Sequence, residues 1–323
     1  MPQPSLMLQS VLAAVLCVTF CALAQPYPTK PVRMIAPFPP GGTSDVVARL
    51  TAQKLTESLG RQVVVENRGG AAANIGHEIA ARAAADGYTL LITSGAAMVT
   101  NQFLYKKLNW EPADFTPVSM IASAGMVLVL HPSVQANSVT ELIALLKSRP
   151  ERMTVGSGGV GTTSHVTSEV FKSITGTRIT HVPYKGGGVA ITDLVGGQID
   201  MVFSDMVPAV PQLQGGRLRA LAVTSEQRSN ILPAVPTMAE AGIKQGFPSQ
   251  WWAIVVPRST PTAIINRLNT DIGQFMKSPD MLEKFNALGL FTLHSPPDKV
   301  SETIRLGNAE MREVVKAAGI QPE

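Results

Sequence analysis

From residue 32 onward, short β-branched and aliphatic runs alternate with stretches whose apolar residues recur every three or four positions. The runs Val32-Arg33-Met34-Ile35, Val63-Val64-Val65, Thr89-Leu90-Leu91-Ile92-Thr93, Met153-Thr154-Val155, Ile179-Thr180-His181-Val182, Met201-Val202-Phe203 and Leu221-Ala222-Val223 are expected strands. Helical spacing predicts helices over 75–85, 140–147, 163–174 and 189–195. A last helix carries Ile304, Met311 and Val315 on one stripe. Ser138-Val139-Thr140-Glu141 and Thr237-Met238-Ala239-Glu240 read as capping boxes. Thr260 reads as a helix cap with Pro261 at the first helical position. Strand–helix alternation predicts α/β layers with mainly parallel sheets.

Two segments look alike. Met126-Val127-Leu128-Val129-Leu130-His131-Pro132 precedes a capped helix ending near Pro150, and Trp252-Ala253-Ile254-Val255-Val256-Pro257 precedes another ending near Pro279. Read as two crossover strands, they divide the chain. Residues 25–125 and 251–323 form a discontinuous first domain, and 126–250 form the second. The chain leaves the first near Gly125 and returns near Gln250.

Two glycine-rich turns follow strands and open helices. The first is Pro37-Phe38-Pro39-Pro40-Gly41-Gly42-Thr43-Ser44-Asp45. The second is Gly156-Ser157-Gly158-Gly159-Val160-Gly161-Thr162-Thr163-Ser164-His165. Glycine admits a ligand close to the backbone, and a helix start offers unpaired N–H groups at the positive end of a dipole. Such turns hold an anion without a cationic side chain, and two of them suggest two jaws on one small carboxylate or phosphate. In the first, Phe38 is core or cleft wall, Ser44 or Thr43 caps the helix, and Asp45 suits the helix start. In the second, the hydroxyls of Thr162, Thr163 and Ser164 cap the helix, bind a ligand oxygen, or both. His165 is a structural hydrogen-bonder or a ligand contact. Ser94 and Asp205 follow strands, where loops line the crevice of open α/β sheets. Asp205 receives a ligand amine or hydroxyl, or is a solvated loop carboxylate.

Charge and composition narrow the classes. Lys and Arg number 27 against 23 Asp and Glu, a net +4 with no basic run, so nucleic acid is not an expected partner. The first 24 residues carry no charge and end in Ala22-Leu23-Ala24, a secretory leader with an A-x-A-like cleavage site. The leader lacks the usual Lys or Arg before its apolar run. A single membrane anchor or a lipidated Cys21 are the alternatives. Cys17 and Cys21 both fall inside it, so the mature chain has no thiol for disulfides, nucleophiles or metal sites, as befits a periplasmic protein.

Catalytic signals are poor. Neither Ser94 nor Ser157 lies in G-x-S-x-G, and His77-Glu78 lacks the second histidine of H-E-x-x-H. The histidines at 77, 131, 165, 181 and 294 have no metal-ligand spacing, and no phosphate-binding G-x-x-x-x-G-K-[ST] loop occurs. No metal or cofactor is expected. Gly156–Gly161 does match the dinucleotide pattern G-x-G-x-x-G. The next strand, however, ends in Pro183-Tyr184-Lys185 where an acidic residue is needed. An NAD(P)-dependent oxidoreductase is the lesser alternative.

Several segments in fixed order resemble the Bug/TctC-type solute-binding proteins of tripartite tricarboxylate transporters. They are Tyr27-Pro28-Thr29-Lys30-Pro31-Val32-Arg33; Pro37-Phe38 with Gly41-Gly42 and Asp45; Val64-Val65-Glu66-Asn67-Arg68; and Asp86-Gly87-Tyr88-Thr89-Leu90-Leu91. Further on come His181-Val182-Pro183-Tyr184-Lys185-Gly186, Leu218-Arg219-Ala220-Leu221-Ala222-Val223-Thr224, and Leu232-Pro233 through Val235-Pro236-Thr237 to Glu240-Ala241-Gly242. The resemblance implies a two-domain, type II-like periplasmic-binding-protein fold closing on a small organic anion, delivered as a monomer to membrane permease subunits. A di- or tricarboxylate, an acidic amino acid or an aromatic acid would fit. It puts Phe38, Gly41, Gly42 and Ser44 on one jaw, Ser157, Gly161, Thr162, Thr163 and His165 on the other, and Asp205 on the rest of the ligand. Presentation of the ligand to a signalling partner is the alternative role. Gly69-Gly70-Ala71-Ala72-Ala73-Asn74 departs from the family's Arg-Pro-Gly-Ala-Gly pattern, and Val189 stands where proline is common.

Overall fold

The computed structural model describes residues 27–248 and 250–318. The leader over 1–24, its cleavage signal and both cysteines lie outside the described residues, as does the side chain of Val315. Strands β1 (Val32–Ala36), β2 (Val63–Asn67), β3 (Thr89–Ser94), β4 (Phe115–Ala124), β10 (Gln250–Pro257) and β11 (Phe291–Thr292) form one sheet in the order β11-β4-β10-β3-β1-β2. Strands β5 (Val127–Leu130), β6 (Thr154–Ser157), β7 (Thr180–Pro183), β8 (Met201–Ser204) and β9 (Arg219–Val223) form the other, ordered β7-β6-β8-β5-β9. β4 hands the chain across at Gly125 into β5, and residues 224–249 bring it back to β10.

The helices cover both faces of each sheet. They are α1 (Thr43–Leu59), α2 (Asn74–Ala81), α3 (Asn101–Leu104), α4 (Val139–Ser148), α5 (Thr163–Thr175), α6 (Gly187–Val195), α7 (Met206–Gln214), α8 (Thr262–Met276), α9 (Pro279–Ala287) and α10 (Pro297–Ala318). Side chains alternate across a strand, so a strand covered on both faces must be apolar throughout. In β10, Trp252, Ile254 and Val256 enter one core while Trp251, Ala253 and Val255 enter the core on the opposite face. In β5, Leu128 and Leu130 are separated from Val127 and Val129 in the same way. This is why the two segments look alike, although each lies wholly within its own sheet.

Several sequence expectations need correction. The sheets are mixed: β1–β2, β1–β3, β6–β7 and β6–β8 are parallel, whereas five pairs, those of β10 with β3 and β4, β11 with β4, and β5 with β8 and β9, are antiparallel. β4 is the unexpected strand, hidden by Thr116, Pro117, Ser119 and Ser123; Pro117 is tolerated beside a register shift against Val255. Thr260 does not cap α8: its hydroxyl donates to the Pro257 carbonyl at 2.7 Å, and Pro261 itself is the N-cap. Neither Thr43 nor Ser44 caps α1, whose N-cap is Gly42. The Thr237–Glu240 box closes reciprocally, at 3.1 and 2.8 Å, but around a turn and not a helix. By contrast, Ser138 caps α4 through the Glu141 N–H at 3.1 Å. The helix expected over 75–85 is also shorter, ending at Ala81.

Candidate functional site: an enclosed cleft of helix N-termini

The cleft between the sheets is lined by the starts of four helices. Gly42, Thr43 and Ser44 open α1; Thr162, Thr163 and Ser164 open α5; Gly186, Gly187, Gly188 and Val189 open α6; Ser204, Asp205 and Pro208 surround the start of α7. The first N–H groups of a helix have no intrahelical acceptor, and the dipole gives each start a partial positive charge. Among the described residues, no Lys or Arg lines this space and Asp205 is its one ionisable side chain. The centres of water-sized molecules have about 70 Å³ to occupy. At roughly 10–15 Å³ for a single enclosed water, that admits a handful of small groups.

Each turn is held from behind. Gly41 takes φ +86°, a conformation open to glycine, and its N–H donates to Asp45 Oδ2 at 3.0 Å. Asn67 donates to the other Asp45 oxygen at 2.9 Å and to the Phe38 carbonyl at 3.0 Å, which ties β2 to the loop. Burial pushes the Asp45 carboxyl up, but the bonds from Arg49, Gly41 and Asn67 outweigh it and hold its pKa below the usual carboxylate range. Ser44 Oγ accepts from Trp252 Nε1 at 3.0 Å, so the buried tryptophan of β10 orients a cleft hydroxyl.

Behind the second turn stands a stacked histidine pair. The rings of His165 and His181 lie 4.2 Å apart. His165 Nδ1 accepts from the Gly161 N–H at 3.2 Å. His181 Nε2 is 2.7 Å from Ser157 Oγ, which in turn accepts from the Gly159 N–H at 3.1 Å. Burial pushes both histidines down to about 4, with Lys172 adding to the effect on His165 and His165 to that on His181. Gly161, at φ +88°, fits against the other lobe: a Cβ there would come within 2.6 Å of Asn101 Oδ1. Thr163 donates its hydroxyl hydrogen to Gln250 Oε1.

Of the residues singled out in the sequence, Phe38, Gly42, Ser44, Ser94, Thr162, Thr163 and Asp205 line the enclosed space. Gly41, Ser157, Gly161 and His165 stand outside the lining and shape the turns. Asp205 is not a solvated loop carboxylate: it is the N-cap of α7, and its Oδ1 is buried. Burial pushes its pKa up to about 6, against a smaller opposite pull from the Thr43 hydroxyl. The α6 start was missed, although the run Gly186-Gly187-Gly188 was a visible signal. Gln250 and Met126, at the two chain crossings, were missed too.

A roomier groove of about 620 Å³ lies behind the cleft, between α5, a buried π-helical turn at Ala96–Thr100, residues 245–248 and α10. Its walls are mostly apolar. No cluster of three His, Asp or Glu among the described residues is placed to hold a metal, and no described helix is long and apolar enough to cross a membrane.

Comparison with known proteins places the chain. Protein BugT of Bordetella pertussis is 40% identical over 278 residues, 85% of each chain. The solved structure of R. palustris Rpa4515 with adipate superposes with a TM-score of 0.90 at 36% identity, over 92% of this chain and all of that one. MatC from Rhodopseudomonas palustris, with bound malate, superposes at 0.85 and 27% identity, over 90% of this chain and 100% of that one. Residues 47–319 match the TctC family, described as the tripartite tricarboxylate transporter family receptor. With both sheets, the cleft and the turns in place, the chain belongs to the TctC family of periplasmic solute-binding receptors, the Bug proteins among them.

Proposed function

We propose that this protein is a periplasmic receptor that captures a small carboxylate in the cleft and hands it unchanged to the permease of a tripartite tricarboxylate transporter. One observation carries the reading: four helix N-termini converge on a small enclosed space that no cationic side chain lines. Favourable helix-start geometries contribute roughly 0.3–2 kcal/mol each, and hydrogen bonds to a charged group about 1.5–3 kcal/mol each. A few of these, less the ordering costs, reach micromolar affinity, near −8 kcal/mol. Binding of that strength needs no chemistry on the ligand.

Phe38, Gly42, Ser44, Ser94, Thr162, Thr163 and Asp205 are the proposed contacts, with Gly41, Ser157, Gly161 and His165 holding the turns. Residues 25–125 with 251–323 would move against 126–250 as two lobes of a monomer. The related proteins with adipate and malate support a carboxylate guest. Mass spectrometry of material co-purified from the periplasm, followed by titration calorimetry with the acid found, tests the reading. Saturable heat with the acid recovered intact is the expected result. Recovery of a transformed product, or saturable binding only of a cation or a neutral molecule, overturns it.

A further inference from the structure

The groove behind the cleft is divided between the two lobes. One wall is α5, which presents Val166, Val170 and Ile174 at i, i+4 and i+8, a single helix face. The other wall is Val99 of the π-helical turn with Leu306 and Met311 of α10. Gly307 seats α10 on that turn, since a Cβ there would come within 3.0 Å of Val99, so this wall belongs to the first lobe. Leu306 is 52% exposed although it lines an apolar groove of about 620 Å³. Apolar surface left wet in this way is surface whose burial would stabilise some other arrangement. The cleft and the groove lie on opposite sides of one pivot. At the return crossing, Gln250 lines the cleft and the next residue, Trp251, lines the groove. Ala96, which opens the π-helical turn, and Thr163, which opens α5, line both spaces. α5 is therefore placed as a lever: its start holds the cleft, and its flank runs about 16 Å along the groove to Ile174, at 1.5 Å per residue. It already touches α10.

We infer that the groove is a counterweight to ligand binding: when the cleft opens, α5 swings its apolar flank onto Leu306 and Met311, and the surface buried there holds the ligand-free protein open. Residues on these walls then set affinity without touching the guest, because binding is weakened by the fraction of molecules that are not shut. The inference rests on the two-lobed hinge of the receptor reading and adds its opposing force.

Three substitutions on the groove walls test it, two at exposed positions and one at a half-buried one. Leu306→Lys places a charge that the meeting walls would have to dehydrate. Ser173→Trp fills the path of α5. Thr303→Leu extends the apolar wall. Small-angle scattering is read on protein unfolded in urea and refolded by dialysis to strip co-purified acid, with none added back. Leu306→Lys and Ser173→Trp are expected to have a smaller radius than the wild type, and Thr303→Leu to keep the open radius. Calorimetry with malate and adipate is the second readout: whichever binds is expected to bind the first two variants about threefold or more tighter than the wild type, and Thr303→Leu more weakly. A substitution that merely damages the fold expands the protein and weakens binding, so contraction with tighter binding separates the two. Equal radii for the wild type and all three variants, or expansion of Leu306→Lys, would overturn the inference. If the radii shift as expected but no small carboxylate binds or co-purifies, the counterweight stands and the carboxylate reading falls.

Discussion

Three histidines decide how single residues respond to pH. Burial pushes His77, His165 and His181 each down to about 4 from an ordinary 6.5. His77 is fully enclosed, with Nδ1 2.9 Å from the Ala73 carbonyl and Nε2 2.7 Å from Thr93 Oγ1. His165 must present an unprotonated Nδ1 to the Gly161 N–H. The unfolded chain takes up these protons near pH 6.5 and the folded one near 4, so stability is full above 6.5 and falls as pH drops from there toward 4. For His77 alone the loss is of order 3 kcal/mol. Asp205, raised to about 6, contributes with the opposite sign over the same range, so urea midpoints at pH 7.5 and 4.5 are compared in Asp205→Asn; equal midpoints there would show that the three rings are not held neutral. A second residue-scale expectation concerns Thr163, whose hydroxyl reaches Gln250 at the chain crossing. Thr163→Val is expected to weaken carboxylate binding by about 1–2 kcal/mol and, by leaving buried Gln250 Oε1 without its donor, to lower the thermal midpoint as well; unaltered affinity would remove Thr163 from the jaw. His165 shows what spacing alone conveys: its place in the first turn of α5 was legible, but its engagement by Gly161 depends on backbone geometry that no residue pattern encodes.

At the scale of elements, the turns that were legible are those in which strand, glycine and hydroxyl follow one another without interruption. Pro37–Asp45 and Gly156–His165 have that grammar. The third start does not: β7 is a short strand with only two of its four residues half-buried, Pro183-Tyr184-Lys185 reads as loop, and no hydroxyl or acidic residue marks the beginning of α6. β4 was illegible for a related reason, since it owes its place to antiparallel pairing with β10, a contact more than a hundred residues away. The departure at 69–74 was legible as a difference, and the structure supplies its cost. Ala71, Ala72 and Ala73 all have positive φ, at 46°, 47° and 80°. A left-handed alanine costs roughly 1–2 kcal/mol, part of which glycine would give back as unfolded-state entropy. Ala71 is exposed, so Ala71→Gly tests this without disturbing packing. It is expected to raise stability by up to about 1 kcal/mol, read as a higher urea midpoint; a lower midpoint would mean the turn is not strained.

For the molecule as a whole, the lobes meet across the mouth of the cleft. A Cβ on Gly186 would touch Pro39 at 3.2 Å, and one on Gly188 would lie 3.9 Å from Gly41. Tyr105 donates its hydroxyl hydrogen to the Val160 carbonyl at 3.0 Å, linking the segment after α3 to the second glycine turn. These contacts join parts of the chain that share no sheet. In the proposed receptor, opening would break them, admit water to the helix starts and let the guest leave, and closing would strengthen every contact inside by excluding that water. A hinged receptor binds with its intrinsic affinity reduced by the fraction of time it is shut. Tyr105→Phe removes one closing bond, and Tyr105 is not itself among the residues lining the cleft. It is expected to lower carboxylate affinity about three- to tenfold, chiefly through faster dissociation, as suits the loss of roughly 1 kcal/mol from the shut state alone. Solution scattering should show the wild type contracting on saturation with its acid and the variant reaching the same contracted radius at higher ligand concentration. If the wild type has one radius with and without ligand, the lobes do not hinge. If they contract but Tyr105→Phe matches the wild type in affinity, closure is governed by the glycine contacts at Pro39 and Gly41, and small-to-large changes at Gly186 become the way to hold the cleft open.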